Sequence, residues 1–214
     1  MTVHSARRRV LALLPLAALL GACANPLSRP SPVKRTFLLE PALPGPGPRT
    51  RPGTVRIGTI GVAAPYRDRG FVFRTGELKV ESDFYHEFFA SPASMIGEAV
   101  ARALASARVF EGVVQGSVGA DTVAYVLEGF VSALYADARA AKAEAEVAIN
   151  WYLSRAAYPG GVVWSREYRE REPIGGTGPD AVAGAMNVAL ARVLGALARD
   201  LAGADLPGTA TPPA

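Results

Sequence analysis

Two helical stripes of apolar residues, far apart in the chain, govern what it can fold into. Met95, Ile96, Ala99, Val100, Ala103, Leu104 and Ala107 recur at three- and four-residue steps, with Glu98 and Arg102 off the stripe. Val182, Met186, Ala189, Leu190, Val193, Leu194, Leu197 and Leu201 do the same near the end. Each stripe must find an apolar surface in order to leave water. Both have start signals: Ser91 before Pro92 reads as an N-cap with proline at the first helical position, and Gly178-Pro179-Asp180 opens the second. Elsewhere the period is two. Val55, Ile57, Thr59 and Gly61 alternate with Arg56, Gly58, Ile60 and Val62, and Pro65 ends that strand. Phe71 to Arg74 and Leu78 to Glu81 flank Thr75-Gly76 as a hairpin. Strands are expected near Val109 to Val114 and, apolar on both faces, over Thr122 to Tyr135. The Ala, Glu and Lys of 138–148 favour helix, yet Ala143, Ala145, Val147, Ile149, Trp151 and Leu153 alternate with polar neighbours, and the period decides for strand. Tyr158-Pro159-Gly160-Gly161 is a turn, and Val162 to Arg171 returns with Trp164 and Tyr168 on one face. The expected fold is α+β, a mostly antiparallel sheet with two helices packed on one face.

The first residues carry a different signal. Arg7, Arg8 and Arg9 precede an apolar run from Val10 to Leu20, which leads through Gly21 and Ala22 into Cys23, the only cysteine. That run is too short to span a bilayer and reads as a cleaved export signal. Removing 22 of the 214 residues takes three of the 23 basic residues and none of the 19 acidic ones, which leaves a formal charge of +1. The basic balance of the whole chain is therefore no argument for a nucleic-acid partner. Pro41, Pro44, Pro46, Pro48 and Pro52, with Gly45 and Gly47, favour extended conformations with little to bury. Residues 23–53 are thus expected to form a Pro-rich tether, 54–202 the folded domain and 203–214 a loose tail. Within the tether, Thr36-Phe37-Leu38-Leu39 reads either as an edge strand or as an apolar patch in a linker.

Little in the chain suggests catalysis. His86 is the one histidine left after cleavage, and Asp83 and Glu87 beside it lack the second histidine of common zinc sites. A polar turn at a helix entrance is the better account. No Gly-x-Ser-x-Gly elbow is present, and Gly175-Gly176-Thr177-Gly178 lacks the lysine of a nucleotide loop. No metal or other cofactor is expected. Aromatics say more: Phe71, Phe73, Phe84, Tyr85, Phe88 and Phe89 crowd into the nineteen positions 71–89. Most are expected in the core and the remainder on a docking patch, rimmed by Arg67, Asp68, Arg69 and Arg74.

The segments Leu20-Gly21-Ala22-Cys23, Thr36 to Leu39, Val55 to Val62, Pro65 to Arg74, Asp83 to Pro92 and Tyr125 to Gly129 together resemble a family. It is that of the auxiliary lipoproteins of ABC-type transport systems, outer-membrane partners of MCE-type lipid transporters. The first of these segments resembles a bacterial lipobox, which implies that Cys23 is acylated and anchors the mature protein. Ala24 after the cysteine resembles an outer-membrane sorting signal. The resemblance implies a non-enzymatic lipoprotein that meets an MCE-domain periplasmic subunit, with phospholipid as candidate cargo and a homo-oligomer as a further option. Partner binding is assigned to Arg67, Arg69, Phe71, Phe73, Arg74, Phe84, Tyr85 and Phe88. Many family members carry a tryptophan where this chain has Phe88 and Phe89. A second reading is a structural or assembly lipoprotein of an outer-membrane complex without lipid handling.

Overall fold

In chain order the elements are β1 (Arg35–Phe37), β2 (Arg51–Val62), a single 3-10 turn (Ala64–Tyr66), β3 (Gly70–Arg74) and β4 (Val80–Phe88), then α1 (Pro92–Ser106), β5 (Phe110–Gln115), β6 (Tyr125–Asp137), β7 (Glu144–Arg155), β8 (Val162–Pro173) and α2 (Pro179–Gly203). The structure, a computed structural model, describes residues 33–48, 50–116, 123–156 and 161–206. The export signal with Cys23, the Tyr158-Pro159-Gly160 part of the expected turn and the last eight residues lie outside the described residues.

All eight strands join one sheet. β6 is its spine: one edge pairs antiparallel with β7, and the other is shared by β2 over Tyr125–Val131 and by β3 at Ala136 and Asp137. The meander β6–β7–β8 follows the expectation. The sheet as a whole is mixed rather than mostly antiparallel, since β1–β4, β2–β5, β2–β6 and β3–β6 run parallel. The reason is connectivity. The chain leaves β2, builds the β3–β4 hairpin, then crosses one face as α1 and returns beside β2, and such a crossover lays the strand down parallel.

Both helices pack on that one face, as their stripes demanded. Met95, Val100 and Leu104 of α1 and Val193 and Leu197 of α2 share a single buried cluster with Ile149 and Trp151. α2 is apolar enough to cross a membrane by length and composition, with a mean hydropathy of 1.6, but 61% of that window is buried in the domain. Its apolarity goes into the core. The Trp151 indole crosses the sheet at Gly129, its register partner on β6, where an added Cβ would sit 2.7 Å from the ring. The opposite face carries a smaller cluster of Val72, Ala133, Tyr135 and Ala148 under Tyr66, which stacks on Tyr135 at 5.7 Å.

The N-cap is as read: Ser91 Oγ accepts the Ser94 N–H at 3.2 Å. α1 ends less comfortably, because Arg108 just beyond it takes a left-handed φ of 52° that glycine usually fills.

The compact unit begins at Lys34, well before the boundary expected at residue 54. β1 is an edge strand on β4, and the proline-rich stretch behind it lies as a strap over both helices. Leu39 and Pro41 are buried. Asn187 on α2 takes the Glu40 N–H at 2.5 Å and donates to the Leu38 carbonyl at 3.0 Å. Ser106 donates to the Pro44 carbonyl at 2.7 Å, and the Gly47 N–H bonds Ala107 O at 2.8 Å. Arg51 then clasps the end of α2 through the carbonyls of Leu201, Ala202 and Ala204, where the helix dipole favours a cation.

Candidate functional site

The aromatic-rich segment splits by burial, and a bulge in β4 does the splitting. Gly70 pairs with Glu87 and Val72 with Ser82, so β4 spends extra residues between them. Asp83 makes that excursion affordable: its carboxylate accepts the N–H groups of Tyr85 at 2.8 Å and His86 at 3.1 Å, and His86 Nδ1 lies 2.7 Å away. Gly70 is required opposite, since a Cβ there would meet Ser82 Oγ at 2.6 Å and the Asp83 carbonyl at 2.8 Å. Burial alone would raise the Asp83 pKa, but the hydrogen bonds from His86 and the backbone outweigh it and hold the carboxyl below its ordinary value. The Asp83–His86 pair therefore shapes the backbone. Among the described residues no group of three His, Cys, Asp or Glu is placed to hold a metal ion.

Phe71 and Phe88 are core residues, with ring centroids 4.9 Å apart and Phe37 a further 5.1 Å from Phe71. Phe73 is half-buried against the same core. Burial takes Phe71 and Phe88 out of the patch read from sequence. The others face water: Phe84, within the bulge, is 72% exposed and Tyr85 39%, and Phe89, just past the strand, 64%. Phe84 and Tyr85 meet edge to face at 5.2 Å, and Lys34 Nζ stands 5.2 Å over the Phe84 ring.

Beneath them Glu87 is nearly buried and takes Lys34 Nζ and Arg69 Nη2, each at 2.8 Å. The Lys34 hydrogen bond, against the opposing effect of burial, leads in holding its carboxyl below the ordinary value. Arg69 also donates to the Phe89 carbonyl at 2.9 Å, which fixes the guanidinium beside the exposed rings. A cleft of about 560 Å³ results, lined by Lys34, Arg67, Asp68, Arg69, Asp83 and Phe84 among others. Arg74 lies off this cleft, donating to the Glu77 carbonyl at 3.0 Å. Lys34 was not read from the sequence at all, and Phe89, counted among the crowded aromatics, was not assigned to partner binding. Lys34 belongs to the site only because parallel pairing brings β1 beside β4, which no local pattern announces.

A second concavity escaped the sequence altogether. Between the strap at Pro44–Pro48 and α2 lies a mostly apolar groove of about 840 Å³, lined by Val109, Gly195, Ala198, Arg199 and Ala202 among others. It adjoins a cleft of about 580 Å³ that reaches Val188, Ala191 and Arg192. The small residues Gly195, Ala198 and Ala202, where α2 passes under the strap, are the signal that could have found it.

This architecture recurs in solved protein structures. A Xanthomonas campestris protein of family DUF330 is 20% identical, aligned over 76% of this chain and 92% of its own, with a TM-score of 0.66. An uncharacterized protein is 13% identical, with 79% and 99% coverage and a TM-score of 0.64. A hypothetical protein from Chlamydia trachomatis is 8% identical, with 71% and 98% coverage and a TM-score of 0.50. At such identities the likeness shows the fold alone. No curated protein sequence matches the chain. The chain belongs to the family described as the ABC-type transport auxiliary lipoprotein component, whose profile matches residues 37–198. It is thus a lipoprotein of a transport system, held at a membrane on the periplasmic side.

Proposed function

We propose that the protein is a non-enzymatic component of an ABC/MCE-type lipid transport system that links the inner and outer membranes. Acyl chains on Cys23 anchor it to the periplasmic face of the outer membrane, each buried methylene contributing ~0.8 kcal/mol. The exposed rings of Phe84, Tyr85 and Phe89, with Arg67, Arg69 and Lys34 around them, dock the MCE-domain subunit. Aromatic and arginine side chains are the usual anchors of such contacts. The observation that carries lipid handling is the apolar groove on α2. From Asn187 to Gly203 the helix offers roughly 24 Å of length, more than the ~15 Å that one acyl chain spans in a bilayer leaflet. Arg199, which lines both the groove and the adjoining cleft, stands beside it for an anionic headgroup.

The test is to purify the full chain from membranes, extract it and identify bound phospholipid by mass spectrometry, with Gly203→Trp, at a groove-lining position where a side chain meets open space, as the groove-filling variant. Bound phospholipid that disappears in the variant, with the MCE-domain subunit still pulled down, supports the proposal. Pull-down without any bound lipid would instead indicate an assembly role. Cys23→Ser should release the protein from the outer-membrane fraction, and its retention there would refute the anchor.

A further inference from the structure

β8 is the last strand on its side of the sheet and pairs with β7 alone among the described residues. Its free edge can be read residue by residue. The Arg171 carbonyl accepts from Arg192 of α2 at 3.2 Å, so the backbone of Arg171 points outward. By the two-residue alternation of an antiparallel strand, Arg169, Glu167 and Ser165 point outward as well. Arg166, Tyr168 and Glu170 turn their side chains to the helix face, where the Tyr168 hydroxyl meets Asp200 at 2.5 Å. Glu167, Arg169 and Arg171 turn theirs to the open face, where Arg169 and Arg171 hold the buried Glu146.

Charged side chains on an edge ordinarily discourage pairing with whatever strand arrives. Here their order is antiparallel-complementary to itself. We propose that two copies of the chain join antiparallel through β8, with Tyr168 opposite Tyr168 of the second copy. Arg166 then faces Glu170 of the second copy on the helix side, and Glu167 faces Arg169 of the second copy on the open side. The two-fold axis repeats both. Sliding the strands by one pleat centres the contact on Glu167 or on Arg169, which places two like charges directly opposite at the axis. The pattern thus selects both partner and register, admitting a second copy and rejecting strands of other charge order. Glu170 supports the choice: it makes no ion pair within the chain among the described residues, while the other charges of this stretch have partners. The contact is isologous and extends the sheet across the axis, a form of β-augmentation. It stands apart from lipid handling, so failure of either leaves the other intact.

Two measurements on full-length protein in detergent test it. Sedimentation of the parent chain should give twice the chain mass. Glu170→Arg, a surface change, should return it to one chain mass with an unchanged thermal melt. The second measurement reads register. Opposed residues that are not hydrogen-bonded stand about 4.5 Å apart at Cα, within disulfide reach. Differently tagged Arg166→Cys and Glu170→Cys copies, co-expressed and oxidised, should cross-link. Arg166→Cys alone, and the parent with Cys23 as its only cysteine, should not. A monomeric parent, a dimeric Glu170→Arg, or equal cross-linking of 166 to 166 and 166 to 170 would each overturn the proposal.

Discussion

Gly129→Ala measures how tightly the two halves of the core are fitted. The added methyl lands 2.7 Å from Cζ3 and 3.0 Å from Cε3 of Trp151, and 3.2 Å from Cδ1 of Ile60. Carbon atoms rest at about 3.5–4.0 Å, so the indole must move by most of an ångström. It has nowhere free to go, because Trp151 is fully buried among residues of both helices. Overpacking of this kind costs about 1–3 kcal/mol. For a domain of this size, about 2 kcal/mol lowers Tm by roughly 4–8 °C. Trp151→Phe should relieve the clash, so the double variant should be less destabilised than the sum of the two singles. Phenylalanine suits the site because the buried Trp151 Nε1 has no hydrogen-bond partner among the described residues. Calorimetry or urea titration of the four chains reads the coupling directly. If Gly129→Ala melts with the parent, or if the two changes simply add, the indole does not lie across Gly129 and this account of the core is refuted.

Arg108→Gly should raise stability by about 0.5–1 kcal/mol, since it removes the left-handed strain beyond α1 at the cost of some unfolded-state entropy; urea midpoints check it. Asp137 is held at about 2, against an ordinary 3.8, chiefly by hydrogen bonds from Arg139. A depressed carboxyl stabilises the fold above pH 3.8, and that contribution disappears as pH falls toward about 2. The Tm gap between the parent and Asp137→Asn should therefore close over that interval. At the proposed docking face, Phe84→Ala should weaken pull-down of the MCE-domain subunit with an unchanged melt. His86→Ala, which loosens only the β4 bulge, should leave a hydrogen-exchange change at 83–87 and normal partner binding.

The legible parts of this molecule were those set by local pattern. The period of Ala143 to Leu153 overrode the helical composition around it, and β7 spans Glu144–Arg155. Ser91-Pro92 fixed the start of α1 because capping is a matter of adjacent residues. Parallel pairing was not legible, since nothing near Val55 says that its neighbours will be Val113 and Tyr125. The strap misled for a related reason: its composition promises little burial, but Asn187 and Ser106, remote in sequence, supply the bonds that seat it. At the site, counting aromatics pointed to the 71–89 segment. It could not separate Phe84 from Phe88, because a bulge seated on Asp83 decides which ring faces water.

The position of β2 has a consequence in time. Among the described residues it pairs with strands that begin at Phe110 and Tyr125, so these ladders must wait for chain made much later. Contacts of such long separation form slowly, because loop closure is unfavourable until they are complete. A chain that crosses a membrane N-terminus first would emerge with β2 unpaired and the hairpin after it unsupported. The sheet cannot close before β6 has passed through. The topology itself thus keeps the polypeptide threadable for most of its passage, and completes the fold only on the far side.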